Sequence, residues 1–222
     1  MELCQHLAAL GNGISAAIPD VKICGLCTPE DVEYINDVGV EYAGFVLYEK
    51  SKRHVTLEQA AKLLKQVSLC IQKVAVTVSP DLDLAKAAAQ VGFDILQVHG
   101  ELNPQVAEES PLPIWRAFNC SDPEALNLQE GERTTRIKAY VVDGEEYGAG
   151  KTFDWEKNIS LKKELGAQKL VLAGGLNSQN VAEGIRRFRP DVVDVSSGVE
   201  KTESIGKDLE KIKAFVKAVR EE

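Results

Sequence analysis

No stretch of this chain approaches the roughly 18 to 20 consecutive apolar residues that a membrane span requires, so nothing in it reads as a transmembrane segment. A basic excess is missing too. Lys and Arg number 26 against 34 Asp and Glu, a formal net charge of −8, which offers no field for the phosphate backbone of nucleic acid or for an anionic membrane surface. Any anionic ligand must be held by local devices. Histidine is scarce, with three residues far apart in the chain, and Cys24 and Cys27 are the only closely spaced cysteines. A zinc site needs about four ligands, so none is expected. Five cysteines, an odd number, are scattered and not arranged as a dense framework, which fits a reducing cytoplasm. The first 20 residues lack a basic start and a long apolar stretch, so they do not read as a secretory signal. They read as an N-terminal extension, residues 1–20, ahead of a single domain over residues 21–222.

What the chain does have is repetition. Eight short runs rich in Val, Ile and aromatics follow one another: VKICGL (21–26), YAGFVLY (42–48), KVAVTVS (73–79), ILQVHG (95–100), IWRAFN (114–119), AYVVDG (139–144), KLVLAGG (169–175) and VVDVSSG (192–198). Segments of helical period lie between them. Leu57, Ala60, Ala61, Leu63, Leu64 and Val67 recur by threes and fours and predict one helix; Leu209, Ile212, Phe215, Val216 and Val219 predict the last, eighth one. Thr28 before Pro29-Glu30 and Asp122 before Pro123-Glu124 predict N-caps, and Gly39 and Gly92 predict helix stops. The fourth and fifth helical segments, at 103–110 and 123–131, are short and weakly periodic. Near-continuous apolar strands, each followed by a helix, argue for a parallel sheet buried on both faces. Eight such units close an α/β (β/α)8 TIM barrel.

A barrel of this kind carries its chemistry at the C-terminal ends of its strands, which makes the polar residues ending each run the candidates. Gly174-Gly175 after the seventh run and Ser196-Ser197-Gly198 after the eighth lie where phosphate sites of this fold recur, their backbone N–H groups free to approach an anion. Asp143, ending AYVVDG, suits a general acid if its surroundings keep it protonated; the plainer alternative is a turn with Gly144. Arg53 in EKSKRHV is either part of a solvated basic loop or a bidentate clamp for a carboxylate. His99 either orients a substrate or caps a strand end. Asp194 precedes the serine pair. Cys24 sits at a strand end and Cys27 in the loop before the Thr28 cap, which disfavours a helix-start redox dithiol. Cys24 is then read as a single thiol acting as base or nucleophile, while Cys4, Cys70 and Cys120 read as buried and inert.

In order and spacing, VKICGL, GFVLYEKSKRHVT, LQVHGE, VVDGEEYGAGKTFDW, LAGGLNSQNV and VDVSSGVE resemble the phosphoribosylanthranilate isomerase family of tryptophan biosynthesis, over about residues 21 to 220. The resemblance implies a barrel that carries out an Amadori rearrangement of N-(5-phosphoribosyl)anthranilate to 1-(2-carboxyphenylamino)-1-deoxyribulose 5-phosphate, without metal or organic cofactor. It places the general base on Cys24, the general acid on Asp143, the anthranilate carboxylate on Arg53 and a polar active-site carboxylate on Asp194. The expected partner is a small phosphorylated substrate, with no nucleic acid and no membrane; oligomeric state is not readable. Three features depart from the family pattern: the thiol at Cys27, a Gly148-Ala149-Gly150 loop shorter than the usual Gly-Gly-Thr-Gly or Gly-Gly-Ser-Gly, and the N-terminal extension. The competing expectations are a histidine-pathway aminoaldose isomerase, which would carry paired aspartates in place of Cys24, and a non-catalytic barrel that binds a phosphorylated ligand.

Overall fold

The computed structural model describes residues 18–119, 134–143 and 168–222. Asp20–Cys24 (β1) pairs in parallel with Tyr42–Val46 (β2) on one side and Val192–Val195 (β8) on the other, and this double pairing closes the sheet. Between them, in chain order, run Gln72–Val78 (β3), Ile95–His99 (β4), Ile114–Asn119 (β5), Ile137–Asp143 (β6) and Lys169–Ala173 (β7). The result is a closed, all-parallel, eight-stranded barrel. Each of the eight apolar runs supplies one strand. β1 already begins at Asp20, which pairs with Val192, and it stops at Cys24 because Gly25 takes φ 76° and turns the chain out of the ladder. β6 starts at Ile137, earlier than the run suggested, where a register irregularity beside Ile114 lets the strand extend.

Alternation along the strands divides the apolar residues into two cores. Val21, Ile23, Ala43, Phe45, Leu96 and Val98 point outward into a large cluster shared with the helices. Cys24, Tyr42, Val74, Val76, Trp115 and Val141 point into the barrel. Both faces are dry, so the runs look continuous in sequence although their two sets of side chains serve different purposes. Near the N-terminal end of the barrel, Tyr42 and Trp115 meet edge to face with centroids 4.8 Å apart. Lys169 Nζ donates to the Tyr42 hydroxyl at 2.9 Å and to Asp20 at 3.1 Å, tying β7, β2 and β1 together there.

Among the described residues the helices are Pro29–Val38 (α1), Leu57–Leu64 (α2), Leu82–Val91 (α3), Pro104–Glu109 (α4), Val181–Phe188 (α5) and Leu209–Arg220 (α6). Their ends follow local chemistry. Thr28 and Asp31 form a reciprocal capping box on α1, and Gly39 and Gly92 end α1 and α3 in the left-handed region. Thr56 and Gln59 form a second capping box on α2. With six residues, α4 is too short to develop a clear period. α6 buries Ile212, Phe215, Val216 and Val219, the face expected of it. Cys70, expected to be buried, is exposed, because it sits in the turn between α2 and β3 beside Leu69, which is itself 97% exposed. Residues 1–17, Cys4, Cys120, the Asp122 cap with the fifth helical segment, and Gly148-Ala149-Gly150 lie outside the described residues.

One carboxylate ties the seam where the ring closes. Asp31 Oδ2 accepts the Cys27 and Thr28 N–H groups at 2.9 and 3.0 Å, and its Oδ1 accepts the Lys207 N–H at 2.6 Å. The loop after β1 and the loop after β8 are thereby fixed to each other.

Candidate active site

At the C-terminal mouth of the barrel lies a cavity of about 270 Å³. It brings together Cys24, Arg53, His99, Asp143, Gly174, Gly175, Asp194, Ser196 and Ser197, all but one of the residues singled out from the sequence. The exception is Gly198. It lies in the 3-10 turn Ser197–Val199, where a Cβ would come 2.1 Å from the Leu176 carbonyl oxygen. Glycine is required there for the loops after β7 and β8 to pack against each other, and the cavity is bordered by its neighbours.

Cys24 is 8% exposed at the end of β1, and its carbonyl accepts a hydrogen bond from Ser196 Oγ at 3.0 Å. Burial pushes the thiol above its ordinary range; the charges of Lys22 and Lys207 pull it down and that of Asp194 pushes it up. Lys22, two residues earlier on the same face of β1, is fully buried and forms an ion pair with Asp194 Oδ2 at 2.9 Å. Asp194 Oδ1, also buried, has no hydrogen-bond partner among the described residues. Across the barrel, burial raises Asp143 to about 6, with Asp194 adding to the effect and Lys22 opposing it. A carboxyl in this state is available as an acid near neutral pH.

His99 ends β4 with its Nε2 2.9 Å from Gln97 Nε2. Burial lowers its pKa to about 4, assisted by the charge of Lys22, so the imidazole is neutral at pH 7. Gln97 Oε1 is likewise a buried acceptor without a partner among the described residues, and its residue also lines the cavity.

Arg53, in the loop between β2 and α2, crosses over Gly25, where a Cβ would lie 2.4 Å from Arg53 Cδ. Its Nε donates to Glu200 Oε1. Lys52 reaches the other oxygen of Glu200 at 3.1 Å, and Lys207 Nζ lies 3.5 Å from Oε1. Burial works upward on Glu200, but hydrogen bonds from Arg53 and Lys52 and the charge of Lys207 hold it down at about 2. Glu200 thus fixes the orientation of Arg53 at the edge of the cavity. Lys207, itself fully buried, donates to the Ser196 carbonyl at 3.1 Å and braces the loop after β8.

The loop after β7 is shaped by two left-handed glycines, Gly174 (φ 82°) and Gly175 (φ 61°). Asn180 Nδ2 donates to the Gly175 carbonyl at 3.0 Å, and Asn180 Oδ1 accepts the Asn177 N–H at 2.8 Å. This bend brings Gly174 and Gly175 to the cavity wall beside Ser196 and Ser197.

The family model described as N-(5'phosphoribosyl)anthranilate (PRA) isomerase matches residues 21–218. The chain belongs to the N-(5'-phosphoribosyl)anthranilate isomerase family. An N-(5'-phosphoribosyl)anthranilate isomerase of Listeria monocytogenes serotype 4b is 42% identical, the match covering 90% of this chain and 98% of the relative. That of Streptococcus mutans serotype c is 41% identical with the same coverage. Among solved structures, the phosphoribosyl anthranilate isomerase of Thermotoga maritima superposes with a TM-score of 0.79 at 30% identity, covering 92% of this chain and 100% of that one. A family member solved in complex with reduced 1-(o-carboxyphenylamino)-1-deoxyribulose 5-phosphate matches with a TM-score of 0.76 at 29% identity and the same coverage.

Four site residues of this isomerase-family barrel escape a reading of strand ends. Lys22 and Gln97 were marked only by parity, each lying two residues before a candidate (Cys24 and His99) and so on its face of the strand. Glu200 and Lys207 belong to the loop after β8, and no local pattern announces that they converge on Arg53 and Ser196. Cys24 and Cys27 lie on opposite sides of the barrel wall: Cys24 belongs to the interior cluster, whereas Cys27 packs against the outer one.

Proposed function

We propose that this chain converts N-(5'-phosphoribosyl)anthranilate to 1-(2-carboxyphenylamino)-1-deoxyribulose 5-phosphate, with Asp143 as general acid and Cys24 as general base. The observation that carries this reading is the placement of a thiol and a half-protonatable carboxyl on one cavity, at the ends of β1 and β6. Asp143 donates a proton to the ribose ring oxygen as the bond from that oxygen to C1′ breaks, which leaves a protonated Schiff base. Cys24, as thiolate, removes the proton from C2′. The C–H electron pair forms the C1′–C2′ double bond, and the nitrogen becomes neutral, giving an enolamine. C1′ then gains a proton and the 2′-hydroxyl loses one, which yields the ketone and restores the proton count of the site. Only protons move, so the chemistry calls for no metal or organic cofactor.

Arg53, held through its Nε by Glu200, turns its guanidinium toward the anthranilate carboxylate. The backbones of Gly174, Gly175, Ser196 and Ser197 receive the phosphate, and Gly198 lets their two loops close on each other. Neutral His99 offers a hydrogen bond to the ribose, and the free oxygen of Asp194 accepts one from the substrate. A thiol that must stay reduced suits the cytoplasm.

The test is to generate phosphoribosylanthranilate in situ, add the purified chain under reducing conditions and follow loss of the anthranilate-type fluorescence. Turnover is expected in the parent, with a fall on the order of a hundredfold or more in Cys24→Ala and in Asp143→Asn. A folded parent that binds the phosphorylated product but never turns over substrate would reduce the barrel to a binding module.

A further inference from the structure

We infer that Lys22 is a positioning residue for the general base, its buried ammonium standing beside Cys24 and favouring the thiolate that accepts the C2′ proton against the burial that opposes it. The inference rests on the reading of Cys24 as base and adds how a buried thiol can do that work.

The geometry begins with strand parity. Residues 22 and 24 point into the barrel from β1, and opposite Cys24 the register places Gly44 of β2. A Cβ at Gly44 would lie 3.0 Å from Cys24 Sγ and 3.0 Å from Lys22 Nζ. Both atoms therefore border the same missing side chain, at most twice 3.0 Å apart. Without a methyl group at Gly44 to part them, the ammonium and the thiol share one hollow.

A lysine with no solvent exposure is rare unless paired, and Lys22 is paired: Asp194 takes one of its N–H donors at 2.9 Å. Asp194 keeps the ammonium charged and aimed, and the remaining donors are available to sulfur. Among the described residues, the other charged or titratable groups facing Cys24 are Asp194 from β8, Lys207 from the loop beyond it, Asp143 from β6, His99 from β4 and Arg53 from the loop after β2. His99 is neutral at pH 7 and Arg53 is committed to Glu200. Lys22 is the largest favourable charge on the thiol. No proton leaves Lys22 in the cycle; the C2′ proton goes to sulfur, and Lys22 lowers the energy of the anion before that transfer.

The experiment measures Cys24 itself. The full chain is alkylated with iodoacetamide from pH 6 to 10, and the rate at Cys24 is resolved from the other cysteines by mass spectrometry in the parent, in Lys22→Met and in Lys22→Met/Asp194→Asn. The double variant removes both buried charges together, so the barrel keeps a neutral interior even where the single variant strands Asp194. Because burial already holds the thiol above its ordinary range and Lys22 acts on it more strongly than Asp194, alkylation of Cys24 at a given pH is expected to slow in both variants, most in Lys22→Met, where Asp194 is left unopposed. At neutral pH kcat of Lys22→Met should fall in the same proportion as the alkylation rate, with KM little changed and turnover partly recovered as the buffer pH is raised. A folded Lys22→Met in which Cys24 is alkylated at the parent's rate across the range overturns the inference, and so does a folded double variant alkylated faster than the parent. Survival of turnover in Cys24→Ser would instead bring down the reading of Cys24 as base.

Discussion

Replacing Asp143 by asparagine should make the protein more stable while it lowers turnover, and the size of the gain follows from the site. Burial raises this carboxyl from its ordinary 3.8 to about 6, with the charge of Asp194 acting in the same direction and that of Lys22 against it. A folded-state pKa above the unfolded one means that the native state binds the proton more tightly. The associated stability is complete below pH 3.8 and is lost as pH rises through 6. Above that, folding carries the full cost of an ionised carboxylate in a poorly solvated place. The gap of roughly two pH units is worth about 3 kcal/mol. Asparagine has nearly the same shape and no charge, so it removes the penalty. Urea unfolding followed by circular dichroism at pH 8 should place Asp143→Asn above the parent by up to about 3 kcal/mol, and the two curves should converge to within about 1 kcal/mol at pH 4. A variant equal to or weaker than the parent at pH 8, or a gain that does not change with pH, would refute the argument that this carboxyl is held against its ionised form. Such an exchange of stability for reactivity is a common property of active sites.

Gly198→Ala would set a methyl group 2.1 Å from the Leu176 carbonyl oxygen; the loops after β7 and β8 must separate, and on the proposed phosphate role of these loops KM for the phosphorylated substrate is expected to rise about tenfold or more with a smaller change in kcat, as read from steady-state kinetics. Asp31→Ala removes the acceptor of three backbone N–H groups across the seam, so denaturant unfolding should show a loss of about 2 to 4 kcal/mol, while Asp31→Asn loses less. Glu200→Gln takes the charge away from the group that orients Arg53; KM should rise several-fold with kcat within about threefold of the parent, and an unchanged KM would show that Arg53 does not need the anchor.

How far the sequence could be read depended on how local each signal is. Thr28, Gly39 and Gly92 mark helix ends through contacts within a few residues, and the eight strands announced themselves as apolar runs because both of their faces are dry. Once a barrel was inferred, its topology placed Cys24, His99, Asp143 and Asp194 on one rim before any distance was known. The same dryness hid Lys22: a run counted as continuous does not separate the face toward the helices from the face toward the cavity. Parity within the run carries that distinction, and Lys22 with Cys24, like Gln97 with His99, could be picked out by it. Glu200 with Arg53 and Lys207 with Ser196 are pairings between loops, set by the way the ring closes, and no window of sequence contains them. Gly198 was expected to offer its backbone to a phosphate, but it does not line the cavity, and the demand on it comes from the Leu176 carbonyl behind it.

The Lys22–Asp194 ion pair joins residues 172 positions apart, across the seam between the first strand and the last. During synthesis β1 therefore leaves the ribosome with a lysine and a cysteine destined for a dry interior, and it waits for almost the whole remaining chain before its counter-charge arrives. No partial barrel lacking β8 contains the charge pair, the Ser196-Ser197 loop and the thiol together. Appearance of the chemistry thus reports completion of the ring, and a chain truncated before β8 leaves Cys24 an ordinary, unguarded thiol.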